Sequence, residues 1–238
     1  MPTVVEPAAV ADVLLLDYNG VVVDDEPIHF AVLRDLLAVE RIELGEEEYL
    51  AHYLGRDDRT CIGVAFRRAE RPLEPERERA LAARKAEWYA ESVRAGVPLV
   101  PGVREFVREA ARTARVGIVS GALRAEIGAG LKEAGIADAV HCVVCAEDVS
   151  RGKPDPEGFR LAVARLAGDA RTVRAVVVED SEPGLAAARA LGAGIVRLGT
   201  GFGGRAAGDA DLEWRSFEDH APRELQPIMR EIEPARRA

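Results

Sequence analysis

Three things are scarce in this chain of 238 residues, and each scarcity removes a class of protein. There are only three cysteines, an odd and low count that argues against a disulfide framework and for reduced thiols. There is no surplus of positive charge: 32 lysines and arginines face 41 acids, a net charge of −9, so no general field favours a polyanion and no nucleic-acid partner is expected. No apolar run approaches the roughly 18 residues that span a bilayer, so no membrane association is expected. The opening "MPTVVEPAAVA" has no basic start and holds an acid and two prolines. It does not read as a signal peptide, and a cytoplasmic location is the expectation.

What the chain has is a set of short, continuous apolar runs: "VLLLD", "RVGIVS", "VRAVVVED" and "AGIVRL", separated by alanine-rich segments of helical length. Uninterrupted apolar strands alternating with helices predict a parallel sheet covered on both faces, a doubly wound α/β core. One interval breaks the rhythm. From Asp24 to about Val97 the sequence is charged and helix-favouring, as in "PERERALAARKAEWYAESVRAG", with Leu81 and Trp88 at helical spacing. It is closed by the turn-rich "GVPLVPGV" and reads as a helical cap of residues 24–97 inserted into a Rossmann-like core of residues 1–23 and 98–238. The charged, proline-containing tail beyond Asp219 reads as a surface helix with a frayed end.

In a doubly wound sheet ligands bind beyond the carboxyl ends of the strands. The residues there are Asp17 after "VLLL", Ser120-Gly121 after "GIV", and Glu179-Asp180 after "AVVV". Lys153 adds a cation in "RGKPDPEGF", just before a Pro-Asp-Pro turn that opens the next helix. A carboxylate nucleophile, oxygen ligands for a hard divalent cation such as Mg2+, and a lysine and a hydroxyl for the remaining phosphate oxygens together suit phosphoryl transfer. Each part has a plainer reading: Asp180-Ser181 as a helix cap, Lys153 as a solvated side chain, Ser120-Gly121 as a turn. Their order after separate strands favours the joint reading.

"DYNGVVVDDEP", "VSGA", "GKPDP" and "VVVEDSEPGL", in this order between residues 13 and 200, resemble the four motifs of the haloacid dehalogenase superfamily. The cap after the first motif resembles the subgroup holding β-phosphoglucomutase and sugar-phosphate phosphatases. The resemblance implies an aspartyl phosphate on Asp17 and a magnesium ion on Asp17, the main-chain oxygen of Asn19, Glu179 and Asp180. It also implies phosphate held by Ser120 and Lys153 and a small phosphorylated metabolite as partner; a monomer or weak homo-oligomer is the expectation. His29 and Lys85 fall where the mutase has cap residues used in binding and closure. In "GRDDRT", Arg56 and Arg59 flank the place of its phosphate-gripping arginine, a mismatch with the mutase pattern.

One residue departs from the pattern. The family places Asp two positions after the nucleophile, where it serves as general acid and base; here that residue is Asn19, whose amide does not titrate in this range. Three readings follow: a phosphotransfer enzyme with another base, His29 being the nearest candidate; an enzyme for substrates with good leaving groups; or a catalytically impaired protein that binds phosphorylated ligands. A dehalogenase would have no use for Glu179 and Asp180. A phosphonate-cleaving enzyme would need a Schiff-base lysine in the cap, where Lys85 is expected to be solvated or phosphate-facing. "GTGFGG" at 199–204 matches a dinucleotide fingerprint without the following helix and reads as a rim loop. "HCVVC" has a single C-x-x-C, too little for a zinc site, and reads as a short strand or loop with buried thiols.

Overall fold

The computed structural model describes residues 10–54, 56, 58–199 and 210–234. Five parallel strands form most of a seven-stranded sheet: β1 (Val10–Leu16), β2 (Arg115–Val119), β3 (Cys142–Val144), β4 (Thr172–Glu179) and β5 (Gly194–Leu198). The order is β3-β2-β1-β4-β5, extended by a parallel β6 (Leu212–Trp214), and β7 (Arg230–Ile232) runs antiparallel to the start of β4. From β1 the chain winds outward through β2 and β3, then returns to add β4 on the opposite side. The switch point therefore lies between the carboxyl ends of β1 and β4, where the register sets Leu16 opposite Val178.

The apolar runs become strands because both faces are covered. Leu14, Leu15 and Leu16 in β1 and Val176, Val177 and Val178 in β4 are all fully buried. One face carries Val13, Leu15, Val173, Ala175, Val177 and Ile195, packed under Phe159 and Val163 of α7 (Glu157–Ala167) and Leu185 and Ala188 of α8 (Glu182–Leu191). On α8 the Ser181 hydroxyl accepts from the Gly184 N–H at 3.2 Å, and Gly192 ends the helix at φ 83°, so Ser181 and not Asp180 is the cap. The helices between β1 and β2, and between β2 and β3, include α5 (Val103–Ala110) and α6 (Arg124–Glu133).

Residues Asp24–Pro98 form a second compact unit. It is built from α1 (Glu26–Val39), α2 (Glu46–His52), α3 (Asp58–Arg68) and α4 (Pro75–Ser92). Pro27 starts α1, and the main chain closes at the base of the unit where Asp24 N donates to Pro98 O at 2.7 Å. Leu33, Leu36, Leu37, Tyr49, Ile62, Phe66 and Leu81 make its core, with Trp88 packed at its edge.

The tail corrects the sequence expectation. Pro222–Ile228 is a 3₁₀ segment and Arg230–Ile232 a strand, because the free edge at the start of β4 can pair with it. "HCVVC" supplies β3 with Cys145 buried and Cys142 half-buried, both free thiols. The loop expected at 199–204 lies outside the described residues apart from Gly199. Among the described residues no helix is long and apolar enough to cross a membrane.

Candidate active site

Asp17 continues directly from β1. Its N–H donates to Val178 O at 3.1 Å, so β4 still holds the main chain where the carboxylate leaves the sheet. The next residues fold tightly: Val22 N and Val23 N both donate to Tyr18 O, at 2.8 and 3.1 Å, and Gly20 turns the chain at φ +72°. A Cβ on Gly20 would stand 2.1 Å from Oδ2 of Asp180, so the glycine is needed both for its dihedral angle and for the approach of that carboxylate. We expect Gly20→Ala to cost at least ~1–2 kcal/mol from the left-handed backbone alone, and to weaken divalent-cation binding by displacing Asp180. Denaturant unfolding and a Mn2+ titration check it; a variant matching the parent in both would remove this role from Gly20.

Four side chains converge at the switch point. Lys153 Nζ lies 2.9 Å from Asp17 Oδ1 and also ion-pairs with Glu179 Oε1, while its stem passes over the Phe159 ring at 5.3 Å. Tyr18 N donates to the same Asp17 oxygen at 2.7 Å. Glu179, fully buried, has its other oxygen filled by Asp180 N, Ser181 N and Ser181 Oγ at 3.0–3.1 Å. Gly184 makes room for it: a Cβ there would come within 1.9 Å of the Glu179 carboxylate. Lys153 is thus a bridge between two acids; the solvated reading of this lysine does not describe it.

Charge is out of balance here. Asp17, Glu179 and Asp180 each offer an oxygen within 4.8 Å of the others, against the single ammonium of Lys153. Burial first, and then the Glu179 carboxylate, push the Asp17 pKa up to about 7 in spite of Lys153. Burial, Glu179 and Asp17 raise Asp180 well above the ordinary range as well. Lys153 is raised although burial opposes it, because Asp17 and Glu179 both favour its charge. Three hard oxygen donors whose mutual repulsion one lysine does not cancel are a donor set suited to a divalent cation of the Mg2+ type.

Ser120 follows β2, is 8% exposed, and is fixed by Ser120 N donating to Val144 O at 3.0 Å. Its hydroxyl accepts from Ala122 N at 3.1 Å, so the turn reading of Ser120-Gly121 holds, and the turn also supplies a wall. Ser120, Gly121 and Lys153 line one cavity of about 440 Å³ with Val119, Cys145 and Phe159. Asn19, two residues after Asp17, forms a bridge with Val23.

His29, Lys85 and Arg59 belong to the helical unit. Lys85 is not solvated: it is 3% exposed, ion-paired with Asp58, and its Nζ lies 3.0 Å from Nδ1 of His29. An ammonium only donates, so His29 Nδ1 accepts and its proton sits on Nε2, which faces Asp25 Oδ2 at 3.3 Å. Asp25 is itself buried and accepts from Tyr89 OH at 2.7 Å, and the Tyr89 ring stacks on His29 at 4.3 Å. Both His29 nitrogens are engaged, and it has no open lone pair to serve as a base while Lys85 stays in place. Arg59 is 61% exposed and pairs with Glu78 at 2.7 Å. Sequence reasoning missed Asp58, Asp25 and Tyr89. The i,i+4 spacing of Asp25 and His29 on a helix was a usable signal; nothing local marks Asp58, 27 residues from Lys85.

Among known proteins, validoxylamine A 7'-phosphate phosphatase of Streptomyces hygroscopicus subsp. limoneus is 34% identical over 97 residues, 41% of this chain and 45% of that protein. The chain thus matches under half the length of that relative. β-Phosphoglucomutase of Bacillus subtilis (strain 168) is 26% identical over 213 residues, 87% of this chain and 90% of its own. The crystal structure of CbbY from Rhodobacter sphaeroides in complex with phosphate superposes with a TM-score of 0.69 at 22% identity, covering 87% of this chain and 95% of that one, a likeness of fold. The profile of the haloacid dehalogenase-like hydrolases matches residues 11–192, from within β1 to just past the end of α8. Because that span takes in all four acid and lysine positions at the switch point, the chain belongs to the haloacid dehalogenase-like hydrolase family.

Proposed function

We propose that this chain is a Mg2+-dependent phosphotransfer enzyme acting on small phosphorylated metabolites through an aspartyl phosphate on Asp17, a phosphatase or a mutase of the β-phosphoglucomutase kind. The observation that carries this reading is the three-carboxylate cluster with Lys153 bridging Asp17 and Glu179. The named relatives, validoxylamine A 7'-phosphate phosphatase and β-phosphoglucomutase, point the same way.

Asp17, the main-chain oxygen of Asn19, and Glu179 or Asp180 would hold the metal. When bound, it offsets the acids and draws charge from the phosphoryl oxygens. An Asp17 carboxylate oxygen attacks phosphorus, the bond to the ester oxygen breaks, and the leaving oxygen takes a proton from solvent. Ser120 and Lys153 hydrogen-bond and neutralise the remaining phosphoryl oxygens. Water then attacks the same phosphorus, restores the Asp17 carboxylate and releases orthophosphate. Asn19 supplies no proton in either half, so turnover is slow on esters with poor leaving groups.

A second reading, a phosphate-ligand binding or regulatory protein of low activity, is favoured by one observation. Asn19 does not titrate, and the nearest alternative base, His29, has both nitrogens occupied. A single experiment separates the two. Incubation with Mg2+ and acetyl phosphate should give a hydroxylamine-sensitive phosphoenzyme, seen as a mass gain on the intact chain, that Asp17→Ala abolishes. A chain that binds phosphate esters with no covalent phosphate on Asp17 would establish the second reading and end the first.

A further inference from the structure

One buried cation in the core unit has no counter-charge paired with it among the described residues. Arg197, near the end of β5, is 5% exposed, and neither Nη1 nor Nη2 has a hydrogen-bond partner among the described residues. Buried guanidinium groups are normally paired, because an unpaired one forfeits its hydration without replacement. The register makes its isolation more pointed. Arg197 sits opposite Glu179 on β4 and Glu213 on β6, so it is flanked by acids on both neighbouring strands. Neither forms an ion pair with it. The two oxygens of Glu179 are taken by Lys153 and by the start of α8, and Glu213 is exposed.

Register partners in parallel strands share a face, and alternation along β5 puts Arg197 on the side of Ile195, the side of Glu179 and α8. It therefore stands one strand beyond the acids of the switch point, at the carboxyl end of the sheet where α/β proteins take up ligands. A guanidinium offers two parallel N–H groups whose geometry matches a carboxylate or a phosphate. We propose that Arg197 is an oxyanion-binding group, taking a phosphate or carboxylate at the end of β5, separate from the phosphoryl site of Asp17. The anion has two possible sources, free orthophosphate or a second acidic group on the metabolite; Arg197 would recognise the same chemistry in either. The site stands whether or not Asp17 becomes phosphorylated.

The test uses the full chain in EDTA, with Asp17→Ala as a background in which the phosphoryl site has lost its nucleophile, so that phosphate bound there is told apart from phosphate bound at Arg197. Orthophosphate titrated by calorimetry should bind the parent, and Arg197→Met should weaken it by roughly tenfold or more, with Arg197→Lys between them, since lysine keeps the charge and loses the fork. Without phosphate, Arg197→Met should melt no lower than the parent, because it removes a charge that has no partner. Equal phosphate affinity in parent and Arg197→Met overturns the proposal. So does a parent that ignores phosphate while Glu213→Gln lowers its melting temperature, which would make Glu213 the partner. Should Arg197→Met not fold, the Arg197→Lys titration decides alone. For the source, the KM ratio of fructose 6-phosphate to fructose 1,6-bisphosphate is measured in parent and Arg197→Lys. A preference for the bisphosphate lost in the variant identifies a second substrate group; an unchanged ratio with weaker product inhibition by orthophosphate identifies the free ion.

Discussion

Asn19→Asp should raise Mg2+-dependent phosphate release from alkyl phosphates by a hundredfold or more. The expectation follows from the proposed chemistry. A positioned acid and base is typically worth about 10² to 10⁴ in rate, roughly 3 to 6 kcal/mol of barrier. In its absence the leaving alkoxide must find its proton in solvent. The gain should depend on the leaving group: large for sugar phosphates, small for acetyl phosphate or an activated aryl phosphate, which leave without protonation. It should appear mainly in kcat, since Asn and Asp have nearly the same size and the main-chain oxygen of residue 19 is unchanged. Steady-state kinetics on that series decide the matter. A parent already fast on sugar phosphates, slowed by Asn19→Asp, would assign the proton transfers elsewhere. His29 would then have to lose Lys85 from Nδ1 before it could act, and Lys85→Met should accelerate rather than slow that enzyme.

The second large effect is on stability, and it comes from the same acids. In EDTA the melting temperature should fall as pH rises from about 5 to 8, and Mg2+ should restore it at the upper end. Asp17 is raised from 3.8 to about 7 by burial and then by Glu179, with Lys153 pulling the other way. Between those two values the folded chain holds a proton that the unfolded chain has lost, so stability falls with pH across this window. The contribution is complete below 3.8 and is lost as pH rises through about 7, on the order of a few kcal/mol. Asp180, raised by burial, Glu179 and Asp17, adds to the slope in the same direction. A divalent cation replaces the protons as counter-charge, which is why its effect should grow with pH. Scanning fluorimetry from pH 5 to 8 checks it, with Asp17→Asn expected to flatten the profile. A melting temperature that climbs with pH in EDTA would mean that Lys153 already balances the cluster.

These expectations separate what local sequence carries from what it does not. β1, β2, β4 and β5 are legible because strands buried on both faces are rich in uninterrupted apolar residues, as in "VLLL" or "AVVV", although Arg197 breaks the run in β5. The switch-point acids are legible for a related reason. A carboxylate that ends a buried apolar run stands out in the sequence, so Asp17 and Glu179 announce themselves by breaking it. β3, β6 and β7 have three residues each, too few for any period to show, and they exist because a neighbouring strand offers a free edge. The tail read as a helix fails on that ground: its charges suit an exposed helix as well as they suit an edge strand.

The remaining difference lies in partners. Sequence alone determined the fold class, the inserted helical segment and which acids and serine stand at the strand ends, since each depends on hydrophobic period and chain order. Only the tertiary structure decided what those charges face: Lys153 between two acids, Lys85 buried between Asp58 and His29, His29 closed at both nitrogens, and Arg197 in "GIVRL" without a hydrogen-bond partner for Nη1 or Nη2 among the described residues. Pairing is a property of distance in space, and residues 27 or 56 positions apart carry no mark of each other until the chain has folded.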